Sequence, residues 1–217
     1  MAWRNDQVSG AETDKIIEIA RDCLRVAGDF VEMGCYKGDT SLLLAEVLVG
    51  KSEGEGVEGR SDLVAVENSV ENSVKKLWIY DSFEGLPEKG RFDESVLGVD
   101  FREGELMVTK REVKERFLRA GLMVPKIVKG WFEELTEVDL PEEIAFAFLD
   151  GDFYESIKCS LRLVGARMVD GGVIVVHDYN NPALPGVMKA VDEWVESERL
   201  RDVRHRLEGF ESMVVVY

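Results

Sequence analysis

The chain has 217 residues, a formal net charge of −16 and 45% hydrophobic residues. That length suits one α/β domain with a large core, and the composition is globular rather than disordered. The acidic balance excludes the basic footprint that a nucleic-acid backbone requires and disfavours anionic membrane surfaces, so neither partner is expected.

The spacing of Ile16, Ile17, Ile19, Ala20, Cys23 and Leu24 predicts a short helix over about 13–27, with Thr13 as its cap and Gly28 as its stop. Asp29 to Met33 reads as a strand that runs into Gly34-Cys35-Tyr36-Lys37-Gly38, and Ser41 to Leu48 as the helix after it. Strand, glycine turn and helix form the opening unit of a nucleotide-binding fold. Residues 50–76 are rich in Gly, Ser and Glu and read as an acidic, mobile insertion, within which Leu63 to Val66 offers a turn or short strand. Leu77 to Tyr80 is a second strand, ending at Asp81, and 89–109 is a polar loop region. Lys110 to Ala120 reads as a helix, with Gly121 just past its end, and Ile127 to Lys129 as a short strand before Gly130-Trp131-Phe132.

Two apolar runs follow, Ile144 to Leu149 and Val173 to Val176, joined by a helix over about 153–167. Such runs read as neighbouring parallel strands, buried on both sheet faces. Val187 to Glu198 is a further helix, and Val203 to Leu207 with Ser212 to Tyr217 form a closing hairpin, with Gly209 in the turn. Alternating β and α elements over 1–217 make one mostly parallel α/β domain. Cys23, Cys35 and Cys159 are too scattered for a zinc cluster and odd in number for a disulfide framework, which suits reduced thiols. No apolar run reaches membrane-spanning length, and the first residues lack the apolar stretch of a signal peptide, so a cytoplasmic protein is expected.

Acidic groups gather at the ends of the two apolar strands: Asp150-Gly151-Asp152-Phe153-Tyr154 after the first and His177-Asp178-Tyr179 after the second. The carboxyl ends of adjacent parallel strands are where open α/β sheets bind ligands. Three carboxylates and an imidazole there can hold a divalent metal or take a proton. Asp150 and Asp178 are hard oxygen donors of the kind magnesium prefers, and His177 is either a third ligand or a general base. Asp152 has two readings: chemistry beside Asp150, or a variant capping box with Glu155 for the following helix.

Glu32-x-Gly34-x-x-x-Gly38 sits where a cofactor loop belongs, although its spacing is not the dinucleotide fingerprint Gly-x-Gly-x-x-Gly. Asp81 is suited to the two hydroxyls of a ribose, or to capping a turn. Phe83 and Leu86 stand out in a polar loop as a wall for a flat ring, and Trp131 and Phe132 either flank an adenine or belong to the core. His205, among Arg201, Arg204 and Arg206, reads as a solvated surface residue, and Asn180-Asn181-Pro182 as a turn.

The runs Asp29-Phe30-Val31-Glu32-x-Gly34, Tyr80-Asp81-Ser82-Phe83-Glu84-Gly85-Leu86-Pro87, Lys129-Gly130-Trp131-Phe132, Leu149-Asp150-Gly151-Asp152 and Val176-His177-Asp178-Tyr179 occur in that order. Together they resemble the macrocin O-methyltransferase family of class I S-adenosylmethionine-dependent methyltransferases. The resemblance runs from about residue 28 to about 195, and its most specific element is the Asp-Ser-Phe-Glu-Gly-Leu-Pro run. It implies a Rossmann-like, seven-stranded sheet with a C-terminal antiparallel hairpin. It implies S-adenosylmethionine as cofactor, magnesium or another divalent cation as helper, and a sugar or phenol hydroxyl on a small molecule as methyl acceptor.

By the same resemblance Glu32, Gly34, Tyr36 and Gly38 surround the methionine part of the cofactor, with Asp150 beside it. Asp81, Ser82 and Phe83 lie at the ribose, and Gly130, Trp131 and Phe132 by the adenine. Asp150 and Asp178, with His177 or Asp152, hold the metal, and Asp150, His177 and Asp152 carry the chemistry. The pair His177-Asp178 departs from the two acids that relatives commonly show before the final Tyr. The alternatives are methylation of another nucleophile, or a non-catalytic binding protein on the same fold. A homo-oligomer is compatible with all of these.

Overall fold

The computed structural model describes residues 7–50, 75–95, 97–98, 101–198, 204–206, 210 and 212–217. Strands β1 (Asp29–Met33), β2 (Leu77–Asp81), β3 (Lys126–Lys129), β4 (Ile144–Leu149), β5 (Met168–Val176), β6 (Arg204–Arg206) and β7 (Met213–Val216) form one sheet. Their order is β3-β2-β1-β4-β5-β7-β6, a seven-stranded sheet in which the first five run parallel. β7 is antiparallel to both β5 and β6, which gives the expected terminal hairpin.

The chain works outward from β1 to β2 and β3, then returns to the other side of β1 for β4 and β5. Between β1 and β4 the direction of winding reverses, and the loops beyond their carboxyl ends separate there. A cleft at that point follows from topology alone.

Helices cover both faces. α1 (Gly10–Asp22), α2 (Asp39–Leu48) and α3 (Lys110–Arg119) lie on one side, where Ile16, Leu42 and Phe117 meet Phe30, Ile79, Phe146 and Phe148. α4 (Tyr154–Gly165) and α5 (Pro185–Ser197) lie on the other, where Ile157, Leu161 and Val187 meet Val31, Met33, Ala147 and Leu149. Residues of β1 and β4 alternate between the two cores because side chains on a strand point to opposite faces. All six residues of β4 are 0% exposed, the reason its sequence is an unbroken apolar run.

Several boundaries differ from the sequence reading: β5 begins at Met168 rather than Val173, and α2 and α5 begin at Asp39 and Pro185 rather than Ser41 and Val187. α1 starts at Gly10 and is capped by Ser9, whose hydroxyl accepts from the Glu12 amide at 3.3 Å; Thr13 is buried within the helix instead. The regular helix ends at Asp22 and a single tight turn, Cys23–Arg25, completes the segment. At α4 the expected Asp152–Glu155 capping box does not form: Phe153 is the N-cap residue and has no side-chain cap bond. Asp152 has φ +60°, so the chain turns through it rather than entering the helix. The expected turn or strand at Leu63 to Val66, most of the 50–76 insertion, Gly209 and the side chain of His205 lie outside the described residues.

Candidate active site

The first loop of the sheet is held from below. Asp81, at the end of β2, accepts from the amides of Cys35 (2.9 Å) and Tyr36 (3.2 Å) with one oxygen, and from Phe83 (2.7 Å) with the other. Its carboxylate thereby ties the glycine loop after β1 to the start of its own loop. Gly34 has φ +89°, and a Cβ there would overlap the backbone carbonyl of Asp150. Only glycine lets the loops after β1 and β4 come this close. The far end of the loop is fastened by Arg116 of α3, which donates to the Lys37 carbonyl at 2.7 Å and pairs with Asp39.

Glu32 lies beneath that loop, 1% exposed, and accepts from the Ser41 hydroxyl. Burial pushes its carboxyl well above the usual carboxylate range; the Ser41 bond opposes this, while Asp150, Asp81 and Asp39 add to it. Glu32, Gly38 and Phe83 therefore stand behind the cleft wall rather than on it, with Phe83 turned into the core beneath α1 to α3.

The cleft, about 160 Å³, is lined on this side by Gly34, Tyr36, Asp81, Ser82, Gly130, Trp131 and Phe132. Across it stand Asp150, Gly151, Asp152, Ser156, His177 and Asp178, and its outer wall is Leu86, Pro87, Phe101 and Leu106. Of the aromatic pair, Phe132 is buried and Trp131 half-buried, and both reach the cleft. The structure thus brings Tyr36, Asp81, Ser82, Gly130, Trp131, Phe132 and the whole acidic cluster to one opening.

At the ends of β4 and β5, side chain meets side chain. The Nδ1 of His177 lies 3.1 Å from Asp150 Oδ1 and 3.0 Å from Asp178 Oδ2. Its Nε2 faces Glu12 Oε2 of α1 at 3.8 Å, without a hydrogen bond. Glu12 is fixed in turn by the amide (2.9 Å) and hydroxyl (2.6 Å) of Ser212. Burial alone would lower the His177 pKa, but the charges and hydrogen bonds of Asp150 and Asp178 outweigh it and push the imidazole up to about 12. His177 therefore holds its proton at neutral pH. Burial also pushes the Asp152 carboxyl well up, reinforced by Asp150 and Asp178 and opposed by His177.

Asp150, His177 and Asp178 offer two oxygens and a nitrogen within 4.8 Å of one another, a set that fits a divalent cation. Proton and metal compete for the nitrogen, and an imidazole ligand favours metals softer than magnesium.

Five non-glycine residues have positive φ among those described, and four of them, Tyr36, Phe83, Asp152 and Asp178, lie in the loops at these strand ends. Strained backbone concentrated around one opening is a mark of a working site.

Sequence reasoning did not single out Glu12, Gln7, Asp93, Phe101, Leu106, Ser156 or Leu184. Glu12 stands in the first turn of an amphipathic helix, where a carboxylate looks like an ordinary dipole partner. Nothing local marks its reach to His177.

A parallel sheet wound in both directions, with a glycine loop and an acidic cluster facing each other at the reversal, defines a Rossmann-like domain of the class I methyltransferase type. The O-methyltransferase NovP has this fold, with a TM-score of 0.73 at 23% identity over 94% of this chain and 78% of that one. The sequence profile of the macrocin O-methyltransferase (TylF) family matches residues 12–211, and the chain belongs to that family. It is 29% identical over 159 residues to the 8-demethyl-8-(2,3-dimethoxy-alpha-L-rhamnosyl)-tetracenomycin-C 4'-O-methyltransferase of Streptomyces olivaceus, covering 71% of this chain and 54% of that protein. It is 27% identical over 191 residues to the demethyldecarbamoylnovobiocin O-methyltransferase of Streptomyces niveus, covering 83% of this chain and 65% of that protein. The chain thus spans less than two thirds of the length of either relative.

Proposed function

We propose that this protein is an S-adenosylmethionine-dependent O-methyltransferase acting on a hydroxyl of a small molecule of the sugar or phenol type. The observation that carries the reading is the meeting of Gly34 with the Asp150 backbone, which sets the glycine loop and the acidic cluster on two walls of one cleft. Family membership and the sugar-bearing name of the tetracenomycin relative agree with it.

S-adenosylmethionine, when bound, supplies a methyl group already activated by its sulfonium. What remains for the protein is to align an oxygen and manage its proton. Gly34 and Tyr36 would border the methionine end, Asp81 and Ser82 the ribose, and Gly130, Trp131 and Phe132 the adenine. Glu32, Gly38 and Phe83 act from behind by holding the loops in shape. Asp150, half-exposed and fixed through one oxygen by His177, keeps its other oxygen for the acceptor hydroxyl. Asp152 lines the same cleft wall and is the second carboxylate in place to take the proton when ionised. His177, already protonated between two carboxylates, orients Asp150 rather than acting as the base. Asp150 and Asp178, with His177 once it yields its proton, would hold a divalent cation that lowers the pKa of the hydroxyl.

The test is calorimetric titration of S-adenosylmethionine and S-adenosylhomocysteine, with and without added divalent cation, followed by an acceptor screen among sugars and phenols. Micromolar cofactor binding is expected in wild type and Asp150→Asn alike, and methyl transfer in wild type only. Absence of binding by the wild type would sink the enzymatic reading, and transfer unaffected by a chelator would remove the metal from it.

A further inference from the structure

The segment between β2 and α3, residues 82–109, is a long polar stretch with no helix or strand among its described residues. It nevertheless closes on itself: the Leu86 amide donates to the Glu105 carbonyl at 2.8 Å, and the Gly104 amide to the Leu86 carbonyl at 2.9 Å. From that neck the chain travels out and back, placing Leu86, Pro87, Phe101 and Leu106 on the cleft wall. Such a loop needs an anchor at its far end to hold a fixed shape, because loop backbone otherwise keeps much of its conformational freedom.

Asp93 is that anchor. It is 1% exposed, and its Oδ1 accepts from the Tyr154 amide at 2.7 Å, the first residue of α4. Its Oδ2 accepts from the Gly90 amide at 3.0 Å. α4 lacks a side-chain cap of its own, so a carboxylate 61 residues earlier in the chain fills that role. Gly186, in the first turn of α5, lies against the same carboxylate, and a Cβ there would overlap Asp93 Oδ1. Phe92 adds an edge-on contact to the Tyr154 ring at 4.6 Å, under the Lys189 ammonium at 4.5 Å.

The sheet order gives this clasp its consequence. The loop leaves β2, on the cofactor side of the reversal point, whereas α4 and α5 follow β4 and β5 on the opposite side. A contact from Asp93 to both helices therefore carries the loop across the cleft.

We infer that Asp93 is a positioning residue that straps the 82–109 loop onto α4 and α5, presetting the apolar wall against which the methyl acceptor is held. This rests on the methyl-transfer reading for the identity of what the wall holds. It does not touch the cofactor loop, which Asp81 and Arg116 fasten independently.

The test compares wild type with Asp93→Ala, Asp93→Asn and Gly186→Ala by amide hydrogen exchange and by methyl transfer. The acceptor probes are methyl α-L-rhamnoside and catechol. Asp93→Ala should lose at least tenfold protection at the Tyr154 and Gly90 amides and across 84–106, with strands β1 and β4 unchanged. Its acceptor KM should rise about tenfold or more while kcat and the S-adenosylmethionine Kd stay within threefold. Asp93→Asn keeps an acceptor for the Tyr154 amide and should restore much of both, whereas Gly186→Ala should reproduce the Asp93→Ala pattern from the other side. Unchanged protection at Tyr154 in Asp93→Ala overturns the clasp. Acceptor KM unchanged while kcat and cofactor affinity fall together reduces Asp93 to a structural residue. A wild type that binds no cofactor defeats the enzymatic reading instead, and the exchange data still decide the clasp.

Discussion

The two sides of the cleft use carboxylates in opposite ways. At the end of β2, both oxygens of Asp81 are engaged by backbone amides, so the charge is spent on holding loops. At the ends of β4 and β5, Asp150 and Asp178 instead face a side chain, the buried imidazole of His177. A carboxylate bonded to amides cannot move without unmaking the fold around it, whereas one bonded to an imidazole shares an exchangeable proton. The strand-end position is the same; the partner decides whether the residue is architecture or chemistry.

The largest effect should come from forcing the two sides apart. Gly34→Val places a side chain where the Asp150 carbonyl stands and adds strain at φ +89°. Cofactor binding should disappear in titration, and the melting temperature should fall by several degrees or more; retained micromolar affinity would mean the loops are not the cofactor's walls.

Next come the two carboxylates themselves. Asp81→Ala leaves three amides without their acceptor and should cost about 1–3 kcal/mol in stability. Cofactor affinity should fall with it. Asp150→Asn preserves shape and removes charge, so kcat should drop about 100-fold or more while cofactor Kd changes less than threefold, in line with loss of a proton-handling group. If both variants lose affinity and turnover in the same proportion, the division of labour is wrong.

A smaller effect separates Glu32 from both. Its charged form is disfavoured by burial, so its folded pKa is raised. The stability of wild type relative to Glu32→Gln is then greatest in acid and declines as pH rises from the ordinary carboxylate value through the elevated one. Melting curves at pH 4.5 and pH 8 should show the variant gaining on wild type at the higher pH; a constant difference would show that the group titrates normally. Smallest of all is Arg111→Ala, which removes an exposed pair with Glu115 on the outer face of α3 and should leave melting temperature and activity unchanged.

Much of the fold was legible because parallel strands buried on both faces must be apolar throughout. Ile144 to Leu149 and Val173 to Val176 could hardly be anything else. The main cluster was legible for the same reason: acids directly after such strands lie at the sheet's carboxyl edge. Helix starts were less so. Thr13 and Ser9 are both good caps, and the choice fell to Ser9 because Thr13 is buried within the helix. At α4 a plausible local capping box lost to a carboxylate from a distant loop, since Asp152 turns with φ +60° and leaves the helix end to Asp93.

By itself the sequence determined the α/β class, the parallel strands, the strand-end acids and the glycine that admits a close approach. Each depends on residues near one another in the chain, whose periodicity or backbone freedom is a local property. Only the tertiary structure decided that Glu12 looks at His177, that Asp93 caps α4, and which acids became scaffold and which stayed reactive. The first two outcomes turn on contacts 165 and 61 positions apart, the third on contacts such as Asp81 with Cys35 (46 apart) and Asp150 with His177 (27 apart), and a carboxylate takes its role from whichever donor the folded chain brings to it.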